Sequence, residues 1–288
     1  MRKALVLPTI AILGGVAGFF LRRWELASVF DAETGLPAAG MQATWVLGLL
    51  SVAVLALLAV LCAGGGKTFA GGYDEAFAAR GSSLYMAGMT ASAFLMAIGG
   101  LLLLPALPEL YQKAEQAQRG LPLFSLLPRI LLAVLAVLSA ASVFRLGRNG
   151  YLAEGRGRYS AWLLIPAYTA CAWLIVAYQA RSGDPLLLDY VYQLFAIIAT
   201  VLGTYFICGF SFEKGKVFRA AFFPLAALYL IPVTLADSHE PAFFVLLAAF
   251  FLFQGTSVII FLGNAVGGRR LASPAKFDSN REETSDEG

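Results

Sequence analysis

Four stretches of this chain contain no Asp, Glu, Lys or Arg at all. They lie between Glu33 and Lys67, between Arg80 and Glu109, between Asp189 and Glu213, and between Glu240 and Arg269. A helix needs about 20 consecutive, mostly apolar residues to cross the hydrocarbon core of a bilayer. Each stretch is long enough, and four of them in one short chain exclude a soluble globule. Only 14% of the residues are charged, against about a quarter in a typical soluble domain. So few charges cannot coat a water-facing surface of this size. Backbone N–H and C=O groups in lipid must be satisfied within the segment, so the segments are helices. The fold class expected is an all-α, polytopic membrane helix bundle.

Hydropathy places about eight transmembrane helices at residues 4–21, 42–62, 84–104, 124–144, 160–180, 190–212, 217–236 and 241–266. The seventh is the weakest, with Arg219 and Asp237 close to its ends and Pro224 and Pro232 inside. One alternate set of loops and tails holds fifteen of the 21 Lys and Arg residues. The other holds Arg22, Arg23, Lys113, Arg119, Arg129 and Arg181. Basic residues accumulate on the cytoplasmic side, so both termini are expected in the cytoplasm. Residues 1–268 form the transmembrane domain, and the polar 269–288 tail, with too few apolar residues to bury, is expected to be disordered. Arg2-Lys3 ahead of an apolar run also matches a signal peptide. Arg22-Arg23 and seven further spans favour an uncleaved first helix.

The net charge of +3 does not point to nucleic acid, because the basic residues sit at span ends. Membrane lipids are the partners expected of them, above all beside the Arg145–Arg158 stretch. Cys62, Cys171 and Cys208 have no metal or redox spacing and read as small apolar residues. Gly64-Gly65-Gly66-Lys67-Thr68 resembles the end of a phosphate loop. The motif needs a further glycine where Leu61 stands, so it reads as a turn. No metal ligand set and no cofactor are expected. His239 stands alone in Asp237-Ser238-His239-Glu240 and reads as part of a solvated turn.

The candidate ligand-binding residues are few. Asp31 and Glu33 precede a Gly-x-Pro turn and could hold a cation or cap a cavity from outside. Arg129 lies about a turn inside the fourth span, behind Pro128, where snorkelling to the headgroups is the expected fate. Gln254 and Tyr205 lie at similar depths on spans eight and six and could face one another. No ionisable residue is expected at the middle of any span, which argues against ion coupling. Gly14 and Gly18 form a small-xxx-small pair, and Gly99-Gly100 and Gly263 with Gly267 are similar. Such residues let helices approach closely, within one bundle or in a homo-oligomer.

The opening of the chain resembles a family of small bacterial multipass membrane proteins with no assigned function. The resemblance rests on Gly14-Gly15, Leu21-Arg22-Arg23-Trp24, Phe30-Asp31 and Thr34-Gly35-Leu36-Pro37, extending to Cys171-Ala172-Trp173-Leu174 and Asp184-Pro185. It implies a bacterial plasma membrane and no particular activity. Two functions are weighed equally. One is a transporter or permease for a small, uncharged or apolar molecule. The other is a non-catalytic accessory, assembly or sensor subunit bound to a membrane protein partner. A lipid enzyme ranks below both, because its candidate acids are scattered over three loops.

Overall fold

The computed structural model describes residues 2–28, 42–63, 69–116, 122–152, 160–181, 187–212 and 215–266. Asp31, Glu33, the 64–68 turn and the 269–288 tail lie outside these residues. The helices are α1 (Arg2–Ser28), α2 (Gln42–Ala63), α3 (Gly72–Ala76), α4 (Ser83–Leu102), α5 (Leu107–Gln116), α6 (Pro122–Leu152), α7 (Ser160–Arg181), α8 (Leu187–Cys208), α9 (Val217–Thr234) and α10 (Pro241–Val266), with a 3-10 turn at Gly209–Phe212. Eight of them are long and apolar enough to cross a membrane. Two short helices go beyond the expected set. α3 lies between α2 and α4, and α5 follows α4 and buries none of its residues.

Two spans outrun their expected ends, and this matters for the site. α1 continues to Ser28, so Arg22 and Arg23 stand on its last turns rather than in a loop. Its 27 residues extend about 40 Å, more than the roughly 30 Å of a hydrocarbon core. α6 continues to Leu152, so the first half of the basic stretch is helical. There Arg145 stacks over the Trp162 ring at 4.2 Å.

α9, the span the sequence supports least, is the most enclosed of the eight, with 67% of its apolar window buried inside the bundle. A central helix touches protein on most sides and does not need the apolar excess of a lipid-facing one. Its two prolines sit inside the helix, where neighbouring helices cover them. α9 packs most extensively on α8 and α1, while α4 packs on α6 and α10. Small residues set these approaches. A Cβ on Gly100 would lie 2.9 Å from the Ala133 carbonyl of α6, and one on Gly99 would lie 2.9 Å from the Leu246 side chain of α10. Gly263 has nothing within 4 Å of its would-be Cβ, so the close approach expected there does not occur.

One end of the bundle holds the finish of α1 and α9 and the start of α2, α8 and α10: the Arg22 end. The opposite end is closed by aromatic packing. The rings of Phe69, Phe77, Phe210 and Phe261 meet at 5.4–6.0 Å. Asn264 donates to the carbonyls of Ala76 and Ala78, tying α10 to α3.

Candidate functional site: a buried arginine with two carboxylates

The site grows out of helix spacing. Gly14, Gly18 and Arg22 recur every four residues on α1 and share one face. Tyr229, Val233 and Asp237 recur in the same way on α9 and the turn after it. The two series meet in register. A Cβ on Gly14 would lie 3.4 Å from the Tyr229 ring, and one on Gly18 would lie 2.5 Å from a Val233 methyl. One turn further, Arg22 donates from Nε to Asp237 Oδ1 at 2.7 Å. The glycines draw the two backbones together, and that approach carries the guanidinium to its carboxylate.

Arg22 is fully buried, which is expensive for a cation unless it is paired and hydrogen-bonded. A second donor, Nη1, reaches Glu25 Oε2 at 2.7 Å, one turn along α1. The Tyr192 ring of α8 lies under the guanidinium at 5.3 Å. Asp237 is held in turn by Thr234, whose hydroxyl donates to Oδ2 at 3.0 Å. His239 Nε2 lies 2.5 Å from the Thr234 carbonyl. A carbonyl only accepts, so Nε2 carries a hydrogen. His239 is thus fixed beside the cluster and is not the free turn residue its sequence context predicts. Burial pushes the Asp237 carboxyl above its ordinary value, and Arg22 offsets only part of this.

The polar contacts continue into the bundle. Ser51 of α2 shares a hydrogen bond of 2.8 Å with the Tyr229 hydroxyl of α9. The site thus draws on α1, α8 and α9, and the Ser51–Tyr229 pair joins α2 to α9 beside it. One atom in it stands out. Glu25 Oε1 is buried and has no hydrogen-bond partner.

The predicted site residues fare differently. Arg129 is buried and does not snorkel. It pairs with Glu240 through both terminal nitrogens and lies over the Phe243 ring at 5.7 Å. Its partner comes from the start of α10, which the sequence places 111 residues away. Gln254 and Tyr205 do not face a common space. Gln254 is fully buried and donates to the Thr200 carbonyl at 3.0 Å and to Thr204 Oγ1 at 2.9 Å. A Cβ on Gly203 would lie 2.8 Å from its Oε1. Thr200, Gly203 and Thr204 thus mark the inward face of α8. The next residue, Tyr205, is turned about 100° away and is 60% exposed. Asp31 and Glu33 lie outside the described residues. An open groove of about 620 Å³, lined by Met86, Thr90, Phe94 and Tyr151 among others, lies on α4 away from the Arg22 cluster.

Sequence reasoning missed Glu25, Asp237, Tyr192 and Ser51 as a group. The four-residue spacing of Gly14, Gly18 and Arg22 was the available signal, because it puts the arginine on the packing face. No family model, curated protein or solved structure matches the chain.

Proposed function

We propose that this multipass membrane protein is a transporter of a small molecule, working at the Arg22 end of its bundle. The observation that carries the reading is the fully buried Arg22 bridging Glu25 and Asp237. Ionisable residues kept inside a membrane bundle are costly and mark substrate or ion pathways by default. Tyr229 lies two turns before Asp237 along α9, and its hydrogen bond to Ser51 puts a further polar pair between the Arg22 cluster and the middle of the bundle. The sequence, with no ionisable group at mid-span, points to an uncharged or apolar substrate. A buried site with an unsatisfied carboxylate oxygen disfavours a wholly apolar solute and favours one presenting N–H or O–H donors. By the distribution of basic residues, the Arg22 end faces outward from a bacterial plasma membrane, with both chain ends in the cytoplasm.

The test is uptake of small radiolabelled amines and polyols, such as ethanolamine, choline and glycerol, into liposomes containing the purified chain. At least one should enter faster than into empty liposomes, and Glu25→Ala should abolish the difference. No excess entry of any of them would contradict the reading.

A second reading has one observation in its favour. α5 runs for ten residues without burying any of them, as a helix would that covers a partner subunit. A protein recovered at fixed stoichiometry after gentle extraction into native lipid discs, with α5 at the contact, would make the chain an accessory subunit.

A further inference from the structure

We propose that the groove on α4 binds one anionic phospholipid, with an acyl chain laid along α4 and the phosphate held by Arg80 and Arg148. The inference is independent of the transporter reading.

The groove follows from how α4 meets α6. Glycines close the two helices on one face. A Cβ on Gly147 would lie 2.7 Å from Met89, and one on Gly150 would lie 3.0 Å from the Tyr85 ring. Ser83, Ala87, Thr90 and Ala91 recur at helical spacing on a neighbouring face of α4. Their side chains are short and exposed, so that face is a trough rather than a ridge. Phe94, 67% exposed, lines one end of it, and Tyr151 of α6 lines the other. From Ser83 to Phe94 the trough runs about 16 Å along the helix axis. The hydrocarbon core is roughly 30 Å thick, so the trough matches the depth of one leaflet, which is the reach of one acyl chain.

The charged end decides the occupant. Gly81 donates its N–H to the Tyr151 carbonyl at 3.1 Å, which brings Arg80 to the mouth of the groove. Arg148 lies three residues before Tyr151, on the same side of α6. Both arginines are exposed, and neither is ion-paired among the described residues. Arg145, by contrast, is taken up by the Trp162 ring. The carboxylates of α3, Asp74 and Glu75, stand at this end too, and Glu75 accepts from the Gly71 N–H at 2.9 Å. Two guanidiniums without a protein carboxylate suit a phosphate, which they bind through paired N–H donors. Ser83 and Tyr151 carry hydroxyls that can donate beside them. A headgroup of net negative charge satisfies the arginines while its chain fills the trough. A zwitterionic headgroup brings its own ammonium against them, and a free phosphate leaves the trough empty. A second copy packed face to face would set these arginines against their own equivalents. By the distribution of basic residues this end faces the cytoplasm, where anionic lipids draw basic residues to the membrane surface.

The test uses the full chain in phosphatidylcholine nanodiscs holding a trace of phosphatidylglycerol with a photoactivatable diazirine on one acyl chain. After illumination, mass spectrometry should find adducts concentrated on residues 83–94 and on Tyr151. Excess unlabelled phosphatidylglycerol should compete, whereas excess phosphatidylcholine and soluble glycerol phosphate should not. With Arg80→Gln and Arg148→Gln together, the mole fraction of phosphatidylglycerol needed to compete should rise roughly tenfold or more. Ala87→Leu with Ala91→Leu fills the trough and should lower the labelling there. The competition in the unmutated protein stands even if a variant fails to fold. Adducts spread evenly over the lipid-facing spans, or phosphatidylcholine competing as well as phosphatidylglycerol, would reduce the groove to ordinary lipid contact and overturn the proposal. Competition by glycerol phosphate alone would leave only a phosphate site, and α4 peptides shielded within a dimer would make the occupant a second copy. Either result would overturn it as well.

Discussion

Two arginines near the same end of the bundle resolve the problem of a buried cation differently. Arg22 is fully enclosed, and both of its carboxylate partners are at most 5% exposed. Arg129 is nearly as enclosed, but its partner Glu240 has a side chain 48% exposed to the surroundings. Arg129 thus shares one carboxylate with solvent, and its charge is matched one to one. Among the described residues Arg22 bridges two carboxylates, and both are enclosed with it. A balanced, half-open pair is what anchoring a helix end requires. A closed set spread over two helices ties α1 to the end of α9.

The largest expected effect lies in removing the cation from the closed set. Arg22→Ala leaves two carboxylates buried without a counter-ion and should destabilise the fold by about 3–5 kcal/mol, read from unfolding in mixed micelles. Arg129→Ala in the same assay should cost about 1 kcal/mol or less, because Glu240 can turn to water. Equal losses would erase the distinction between the two arginines.

Next in size is the register of α1 on α9. Gly18→Val places new atoms against the Val233 side chain, where a Cβ alone comes to 2.5 Å. Such overpacking should cost about 1–3 kcal/mol, measured as thermal stability. It should also perturb the Arg22 site one turn away, while a comparable change at Gly263, which faces open space, should cost far less.

The pH dependence is a finer probe. The Asp237 carboxyl is raised on folding by burial. The folded state therefore holds its proton more tightly than the unfolded chain does, and stability falls as pH rises. This contribution is fully present below the ordinary carboxylate range of about 4 and is lost as pH rises through the elevated folded value. Asp237→Asn should flatten that part of the stability–pH profile, and an unchanged slope would remove Asp237 from the account. The smallest effect belongs to Gln254→Leu. It gives up two hydrogen bonds and also an unpartnered Oε1. Membrane hydrogen bonds average about 0.6 kcal/mol, so the variant should be near neutral in the same unfolding assay.

How much of this was legible in the sequence differs between fold and site. The eight spans were readable because charge-free length is a property of each segment alone. The Gly14–Gly18 approach was readable for the same local reason. The fate of Arg22 was not, because the Asp237 that holds it is 215 residues away. Placing Arg22 in a loop also followed from ending α1 at the first charge, although a charge that finds partners in the bundle does not end a helix. Tyr205 was misjudged on depth alone. Depth says how far along a helix a residue lies and nothing about which way it points. Thr200 and Thr204, four residues apart, mark the inward face of α8 and exclude Tyr205 from it.

The most direct test of the contrast is a pair of double-mutant cycles in the intact protein. One combines Arg22→Gln with Asp237→Asn, the other Arg129→Gln with Glu240→Gln, and both are read by unfolding in the same lipid mixture. The account predicts a coupling of about 2 kcal/mol or more for the first pair and about 1 kcal/mol or less for the second. A coupling at Arg22 no larger than that at Arg129 would contradict it.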